Sequence, residues 1–291
     1  MKIRKIFSYV ADTVLLFIFI YLIVSPQNAS EPTRNALDFC AKTLVPSLFI
    51  YMVLSKTLLS LPITEKIAKY IGVAPIALII GTLCGAPIGA KNAVSLYESG
   101  KTDKKYAEYL CSFTNNASVS FVVGFVGKEL FGDICIGLKL LCFQIISSLI
   151  TAIIMKRVIY GKTKPQKANF TKTSKIGLRE AVTDSALTMI NLCACVIFFI
   201  VVGSAVSHIV HLPNELDAIL KSVLEFSSGC AAAAKSDKFA VPICAFAIGS
   251  TGLSVALQVR SVIANKLAMM PFLTGKLISG AIMTFLAFIF G

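Results

Sequence analysis

The chain has 291 residues, of which 56% are hydrophobic and only 15% are charged. Soluble domains carry about 25% charged residues, so this composition, together with a mean hydropathy of +0.80, excludes an ordinary soluble protein. Several apolar runs approach the roughly 20 residues that a helix needs to cross a bilayer. The sequence therefore predicts an all-α integral membrane protein whose outer surface contacts the lipid bilayer.

The net charge of +13 has two interpretations. A nucleic-acid-binding surface would interleave basic residues with aromatic ones, and the basic clusters here do not. Cytoplasmic loops of membrane proteins are rich in Lys and Arg, so we interpret the clusters as markers of topology and expect no nucleic acid partner. The 156–179 segment is predicted to be cytoplasmic, where contact with anionic lipid stays open. The clusters lie at 2–5, 66–69, 91–105, 156–179 and 260–266.

Motifs for enzymatic or metal chemistry are incomplete. The nine cysteines are odd in number and form no CxxC pair, so we expect buried thiols and no metal or disulfide framework. His208 and His211 have no third ligand near them in the sequence. A Walker-A-like stretch at 95–102 has Ser95 in place of its first glycine. The sequence thus predicts neither an enzyme nor a cofactor-binding protein.

The N-terminal region, 1–35, is predicted to contain one membrane helix and an outer loop. Its apolar run at 6–24 follows a basic start, a pattern that also fits a secretory signal peptide. A retained helix and a cleaved signal both stay open, and either leaves residue 25 outside. The next apolar run, 38–60, is predicted to cross inward.

Residues 72–90 are apolar but are interrupted by Gly85, Pro87 and Gly89. Lysines lie on both sides, at Lys69 and Lys91, so both ends of the segment are predicted to be cytoplasmic. A segment that enters and leaves on the same face is a re-entrant hairpin, with its tip at 85–89.

A polar run from Thr114 to Ser118 lies in the middle of the next apolar segment, 106–130. Its adjacent Asn residues favour a turn. We therefore expect an outward-crossing helix that is broken at its centre, followed by an inward crossing at 134–155. Residues 36–155 form the first of two predicted repeats.

The second repeat, 180–291, follows the basic linker at 156–179 and has the same order of elements. Because the first repeat starts outside and the second starts inside, the two are predicted to be inverted. The total is seven crossings and two hairpins, with the C-terminus outside. The elements of the second repeat are a crossing at 182–208, a hairpin at 214–238 interrupted at 226–230, a crossing at 239–258 broken at 248–254, and a crossing at 271–290.

Paired helix breaks at matching positions of inverted repeats indicate a transporter's substrate site near the bilayer midplane. Small residues at such positions can also serve helix packing. Half-helices that begin after Asn116 and Gly252 would direct the positive ends of their dipoles at cargo, which favours a carboxylate. The candidate substrate-binding residues are Gly85, Pro87, Gly89, Lys91, Thr114, Asn115, Asn116, Ser118, Ser227, Ser228, Gly229, Ser250, Thr251, Gly252, Ser254 and Gln258.

The charged residues near these breaks are ranked by position. Lys91 directly follows the first hairpin, and two roles stay open for it: extension to the cytoplasmic surface, or contact with cargo. Glu180, Asp184 and Glu225 rank lower, because they lie near predicted helix ends or within a hairpin.

Three motifs, Gly85–Lys91 (GAPIGAK), Phe113–Asn116 (FTNN) and Gly252–Gln258 (GLSVALQ), resemble those of the YlbJ-type sporulation integral membrane proteins. The resemblance extends from about residue 36 to 291. It implies nucleoside-recognition (Gate) domains, similar to the core of concentrative nucleoside transporters, in a bacterial cytoplasmic or sporulation membrane. The family pattern has His where Ala256 lies here, which puts a proton-linked role of that position in doubt.

The resemblance implies transport during spore formation, with dipicolinate, a small aromatic dianion, as the associated cargo. We therefore expect a transporter or facilitator of a small, anionic organic solute. A nucleoside carrier and a non-transporting membrane scaffold in development or secretion are the two alternatives. The oligomeric state stays open, and a homo-oligomer is compatible with the sequence.

Overall fold

The computed structural model describes residues 2–59, 61–160, 177–236 and 238–291, apart from some side chains near the N-terminus and around 55–69. Every regular element in these ranges is a helix. Five helical stretches are long and apolar enough to cross a membrane, which confirms an all-α integral membrane protein. They are Gln27–Leu54, Ile134–Ile159, Leu178–Val210, Ala240–Ile263 and Met270–Phe290.

The N-terminal helices extend into the predicted outer loop. Helix α1 (Lys2–Val24) is followed after a short turn by α2 (Gln27–Phe39). A π-helical turn at Cys40–Leu44 then joins α2 to α3 (Val45–Leu59), and the short α4 (Pro62–Ile71) follows. Residues 27–35, expected as loop, are helical, and Gln27, Asn28, Glu31 and Asn35 of this stretch line a polar cleft.

The first hairpin consists of α5 (Val73–Cys84) and α6 (Ile88–Glu98), so residues 72–90 are not one continuous helix. The chain reverses at residues 85–87, where Gly85 has a φ of +80° that side-chain-bearing residues rarely adopt. The second arm is longer than the sequence suggested, since it continues to Glu98.

The first broken helix follows the predicted pattern. Helix α7 (Lys104–Phe113) ends at the polar run, residues 114–118 form a non-helical break, and a π-helix (Ser120–Leu130) continues the segment. We call residues 114–118 the first break. Helix α8 (Ile134–Tyr160) then packs on the π-helix.

Most of the linker predicted at 156–179 lies outside the described residues. Helix α8 ends at Tyr160 and α9 (Leu178–Val210) begins at Leu178, so helices include both ends of that range. Residues 161–176 are not described. The cytoplasmic placement of this segment stays a prediction.

The second half contains its own hairpin and broken helix. The second hairpin reverses at Glu225, one residue before the predicted interruption at 226–230, which is helical instead. The broken helix is interrupted at Thr251, within the predicted break at 248–254; Thr251 has a φ of +61°. The remaining elements of this half are α10 (Asn214–Leu224), α11 (Phe226–Ala233), α12 (Ala240–Ser250), α13 (Gly252–Ile263) and α14 (Met270–Phe290).

Each half thus has a long helix, a hairpin, a broken helix and a final long helix, in that order. The halves share their cores, since one buried cluster contains residues from α3, α8, α9 and α12. Close approach at glycine also joins them: a Cβ added to Gly275 of α14 would lie 2.0 Å from the Ser112 carbonyl oxygen of α7. The element order agrees with two repeats, and their inversion across the membrane stays a prediction.

Candidate functional site

Both hairpin tips, the first break and α13 meet at a small internal cavity, which we call the central cavity. Its volume is about 30 Å³, which is room for one or two water molecules. Gly85, Ser118 and Gln258 line it, as the sequence predicted for a site at the helix breaks. The full lining is Leu44, Leu48, Gly85, Ala86, Ala117, Ser118, Phe121, Leu192, Val196, Glu225, Phe226, Val255 and Gln258.

The two asparagines of the first break hold the first hairpin in place. Asn115 Oδ1 accepts a hydrogen bond from Ala90 N at 2.8 Å, and the Asn116 carbonyl oxygen accepts one from Ala86 N at 2.8 Å. The Asn116 side chain donates to Thr82 Oγ1 at 3.1 Å and accepts from Ser148 Oγ at 3.0 Å. Both side chains are fully buried and are committed to these partners.

The backbone of the first break is satisfied by α8. Gln144 Oε1 accepts from Ala117 N at 3.2 Å, and Gln144 Nε2 donates to the Ala117 carbonyl oxygen at 3.0 Å. Thr114 Oγ1 donates to the Leu110 carbonyl oxygen at 2.8 Å. Backbone outside a helix is tolerated in a membrane protein when it is buried against such partners. Thr114, Asn115 and Asn116 therefore brace the fold, and they do not line the central cavity.

Hairpin glycines are required for close packing around the break. A Cβ at Gly89 would lie 2.4 Å from the Thr114 carbonyl oxygen, and a Cβ at Gly81 would lie 1.9 Å from it. In the second hairpin, a Cβ at Gly229 would lie 2.4 Å from Ser222 Cα. The predicted site residues Gly89 and Gly229 thus have a packing role.

The positive helix ends that the sequence predicted to face cargo lie against protein groups in this conformation. At the start of the π-helix, Ser118 Oγ accepts from Phe121 N at 3.2 Å. At the start of α13, a Cβ on Gly252 would lie 3.0 to 3.2 Å from the carbonyl oxygens of residues 222–224, so that end abuts the end of α10. Protein groups thus lie close to both N-termini.

Glu225 lies at the tip of the second hairpin and is the site residue that sequence reasoning ranked too low. Its side chain is fully buried and lines the central cavity. It caps α11 by accepting from Ser227 N at 3.1 Å, from Ser228 N at 2.8 Å and from Ser227 Oγ. The signal was an acidic residue two positions before a Ser-Ser pair, at a helix start.

Ser228 also donates its Oγ to the Glu225 carbonyl oxygen, at 2.9 Å. Ser227 and Ser228 thus serve the cap of the second hairpin. Of the two, Ser228 also lines the polar cleft described below.

The interruption at Thr251, which we call the second break, is flanked by polar atoms that lack partners among the described residues. Ser250 Oγ and Gln258 Oε1 are buried without a hydrogen bond. The other end of the Gln258 amide donates to Ser254 Oγ at 3.3 Å. Thr251 is satisfied locally, since its hydroxyl donates to the Ser250 carbonyl oxygen at 2.7 Å. Of the residues at this break, Gln258 has an unused acceptor in the wall of the central cavity.

A larger polar cleft lies between α2, α9, α10 and α11. Its volume is about 660 Å³, within the range of pockets that bind small organic molecules. It contains two acidic and two basic side chains, and Lys221 is paired with Asp217 at 2.7 Å. The lining is Gln27, Asn28, Glu31, Pro32, Asn35, Ile200, Ser204, His208, Asn214, Asp217, Lys221, Ser228, Ala231, Ala232 and Lys235.

Lys91 takes part in a charged cluster that joins three helices. Its Nζ lies 2.6 Å from Asp184 Oδ1 and 2.7 Å from Thr188 Oγ1. Lys56 of α3 forms an ion pair with the other carboxylate oxygen of Asp184. We call Lys56, Lys91, Asp184 and Thr188 the lysine–aspartate cluster. Lys91 neither reaches freely to the surface nor lines the central cavity.

Helix α9 passes the lysine–aspartate cluster, the central cavity and the polar cleft. Residues four apart form a ridge that winds slowly around a helix, and on α9 this ridge contacts the cluster, the cavity and the cleft in turn. Val196 of the cavity and Ile200 of the cleft are consecutive on it, one helical turn apart. The ridge consists of Asp184, Thr188, Leu192, Val196, Ile200, Ser204 and His208.

Comparison with known proteins gives one curated relative. The chain is 24% identical over 336 aligned positions to the sporulation integral membrane protein YlbJ of Bacillus subtilis (strain 168), and the alignment covers 96% of this chain and 82% of that protein. This similarity supports a YlbJ-like integral membrane protein. No protein-family model matches the chain, and no solved structure matches it.

Proposed function

We propose that this protein carries a small organic solute across the membrane, along a route that follows α9. The arrangement that supports it is the sequence of polar cleft, central cavity and lysine–aspartate cluster along one ridge of that helix. A membrane scaffold has no need for paired hairpins and broken helices that meet at one point. Transporters place their substrate site at such a point.

The sizes of the two spaces suggest which end of the route is open. The cleft, at about 660 Å³, is large enough for a small organic molecule, and the central cavity, at about 30 Å³, is not. The lysine–aspartate cluster ties α3, α6 and α9 together beyond the cavity. This conformation corresponds to a carrier that is open at the cleft and closed at its centre and opposite end.

An anionic solute is the proposed cargo. Two lysines share the single carboxylate of Asp184, so the closed end of the route has an excess of positive side chains within that cluster. In the cleft the exposed Lys235 is balanced by the exposed Glu31, so the preference for an anion comes from the cluster. The name of the similar Bacillus protein refers to sporulation, so we propose a link to spore formation and dipicolinate as the first cargo to test.

A nucleoside carrier is the second candidate, and Glu225 is the observation that favours it. A buried carboxylate beside the central cavity can accept hydrogen bonds from neutral hydroxyl groups, and it disfavours an anion unless its charge is balanced. A Gate-type nucleoside-recognition core would fit that chemistry.

The test is uptake of dipicolinate and of uridine into proteoliposomes that contain the purified full-length protein. Ser204→Trp places a bulky ring in the cleft and should abolish uptake of the true cargo. Phe198→Trp, at an exposed position of the same helix, is the matched control and should retain it. Uptake of neither solute, or equal uptake by both variants, would contradict transport through the cleft.

A further inference from the structure

We infer that Lys56 and Lys91 form a carboxylate-binding site, which Asp184 fills in this conformation and a carboxylate group of the solute fills when the closed end opens. This inference rests on the proposed transport function and adds the residues by which an anionic solute is recognised at that end. It begins from the lysine–aspartate cluster, in which two ammonium groups contact the two oxygen atoms of one carboxylate.

The contacts around the Asp184 carboxylate are those of a bound anion. Lys91 Nζ lies 2.6 Å from Oδ1, and Lys56 forms an ion pair with Oδ2. The Lys91 ammonium also donates to Thr188 Oγ1 at 2.7 Å, which orients it toward the carboxylate. Two lysines from different elements, α3 and α6, thus converge on one planar group with two oxygen atoms. A solute carboxylate presents the same group.

The three charged side chains differ in exposure. The side chain of Lys56 is 9% exposed and that of Lys91 is 25% exposed, whereas that of Asp184 is 45% exposed. The accessible part of the cluster is therefore the carboxylate, and the two ammonium groups are the part held within the protein. This is the arrangement of a site built from the lysines, with Asp184 as its replaceable occupant.

Charge explains why Asp184 needs a replacement before it can leave. A buried charge that loses its partner is strongly destabilising, and the ion pair of the buried Lys56 among the described residues is with Asp184. Glu180 lies one helical turn earlier on α9, but it is exposed and takes no part in the ion pairs of the cluster. The closed end therefore opens at least cost when another anion takes the place of Asp184, because one ion pair is then exchanged for another.

The position of the site on the route couples recognition to opening. Thr188 of the cluster lies one helical turn from Leu192, which lines the central cavity. An anion that leaves the cavity along α9 thus reaches the two lysines next. Displacement of Asp184 releases α9 from α3 and α6 together. Because Asp184 is tethered, its effective concentration at the lysines is high, so it closes the site again once the solute has left.

Removal of the internal carboxylate should make the protein respond to free ones. The chain has nine cysteines and no Trp, so thermal unfolding of the full-length protein in detergent is followed with a thiol-reactive dye. Sodium acetate and sodium dipicolinate are titrated against sodium chloride at constant ionic strength and pH. A ligand that binds only the folded state raises the unfolding midpoint with concentration. We expect Asp184→Ala to bind both carboxylates about tenfold or more tightly than the parent protein does, because its site is vacant.

Matched controls locate the response. Asp38→Ala removes the carboxylate of an exposed pair with Lys42 and should respond as the parent does. Acetamide, which has the shape of acetate without its charge, should not stabilise Asp184→Ala. Asp184→Asn, which keeps the size of the side chain, is the second variant if Asp184→Ala does not fold, and it should respond in the same direction but less strongly. A response no larger than that of the parent in whichever variant folds, an equal response in Asp38→Ala, or equal stabilisation by acetamide would overturn the carboxylate site.

Flux separates this inference from the proposed function. Dipicolinate uptake by the parent protein with a KM that rises about tenfold in Lys91→Met, together with the carboxylate response of Asp184→Ala, supports both. Uptake that is unchanged in Lys91→Met would overturn the role of the site and leave transport standing. A carboxylate response in Asp184→Ala with no uptake of dipicolinate or uridine would leave the site standing and overturn transport of those solutes.

Discussion

Lys91 and Asp184 are 93 residues apart in the chain, yet Lys91 Nζ lies 2.6 Å from an Asp184 carboxylate oxygen. The contact ties the second arm of the first hairpin to α9. Because Lys56 contacts the same carboxylate, Asp184 lies between two positive side chains. Its position between them makes it the residue on which the closed end of the route depends.

Asp184→Asn should therefore destabilise the closed end of the route more than the loss of one ion pair would. The variant removes the one carboxylate that contacts both lysines. We expect a loss of about 1–2 kcal/mol in the free energy of unfolding, at the low end for charge-assisted bonds because Asp184 is half exposed. We also expect faster solute leak from loaded proteoliposomes. Asp38→Asn, which breaks an exposed pair with Lys42, is the control; equal leak in the two variants would contradict a closing role.

Asn116→Ala should destabilise the fold. The side chain joins Thr82 of α5 to Ser148 of α8 through two buried hydrogen bonds. Its removal leaves the hydroxyl groups of both residues without this hydrogen-bond partner. The expected cost is about 2–4 kcal/mol for two lost buried bonds, seen as lower thermal stability and lower abundance in membranes. Asn191→Ala, at an exposed position on α9, should have little effect. Normal stability combined with lost transport would instead restore Asn116 as a cargo ligand.

Gly89→Ala should fail to fold normally, because its new Cβ would lie 2.4 Å from the Thr114 carbonyl oxygen. Backbone cannot move away from that contact without displacing the hairpin from the first break. Gly124→Ala is a matched control in the adjoining π-helix, where a Cβ would meet nothing within 4 Å. The measurement is the yield of monodisperse protein in detergent and its unfolding midpoint; similar values for both variants would contradict the packing role.

The positions of the helix breaks could be predicted because they depend on local residues. Gly85 and the adjacent asparagines at 115 and 116 favour turns whatever surrounds them, and the structure ends a helix at or beside each of these places. Thr251 and Gly252 mark the second break in the same way.

The partners of these residues could not be predicted, because they lie far away in the chain. Asn116 contacts Ser148, and Lys91 contacts Asp184, through packing that one sequence does not specify. Glu225 was ranked low for lying within a hairpin, although a hairpin tip is the part that reaches the centre. The start of α2 was missed because the polar residues at 27–35, several of which line the cleft, look the same in sequence as residues of a loop.

Phe121 and Phe226 close the central cavity from opposite halves of the protein. Their ring centroids are 4.8 Å apart, and both rings line the cavity. Phe226→Ala should enlarge the cavity, because it removes one of the two rings that close it. We expect a loss of about 2–4 kcal/mol in the free energy of unfolding, since large-to-small changes of buried aromatics cost about 3–5 kcal/mol and Phe226 is only partly buried.

The same change should raise transport per folded molecule and relax its selectivity, because the barrier between cleft and centre would be lower. The measurement is initial uptake of dipicolinate and of a bulkier aromatic dicarboxylate into proteoliposomes, normalised to folded protein. Phe198→Ala removes an exposed ring from α9 and should leave both rates unchanged. If Phe226→Ala admits the bulkier solute no better than the parent protein does, the two rings only stabilise the fold, and the barrier to transport lies at the lysine–aspartate cluster instead.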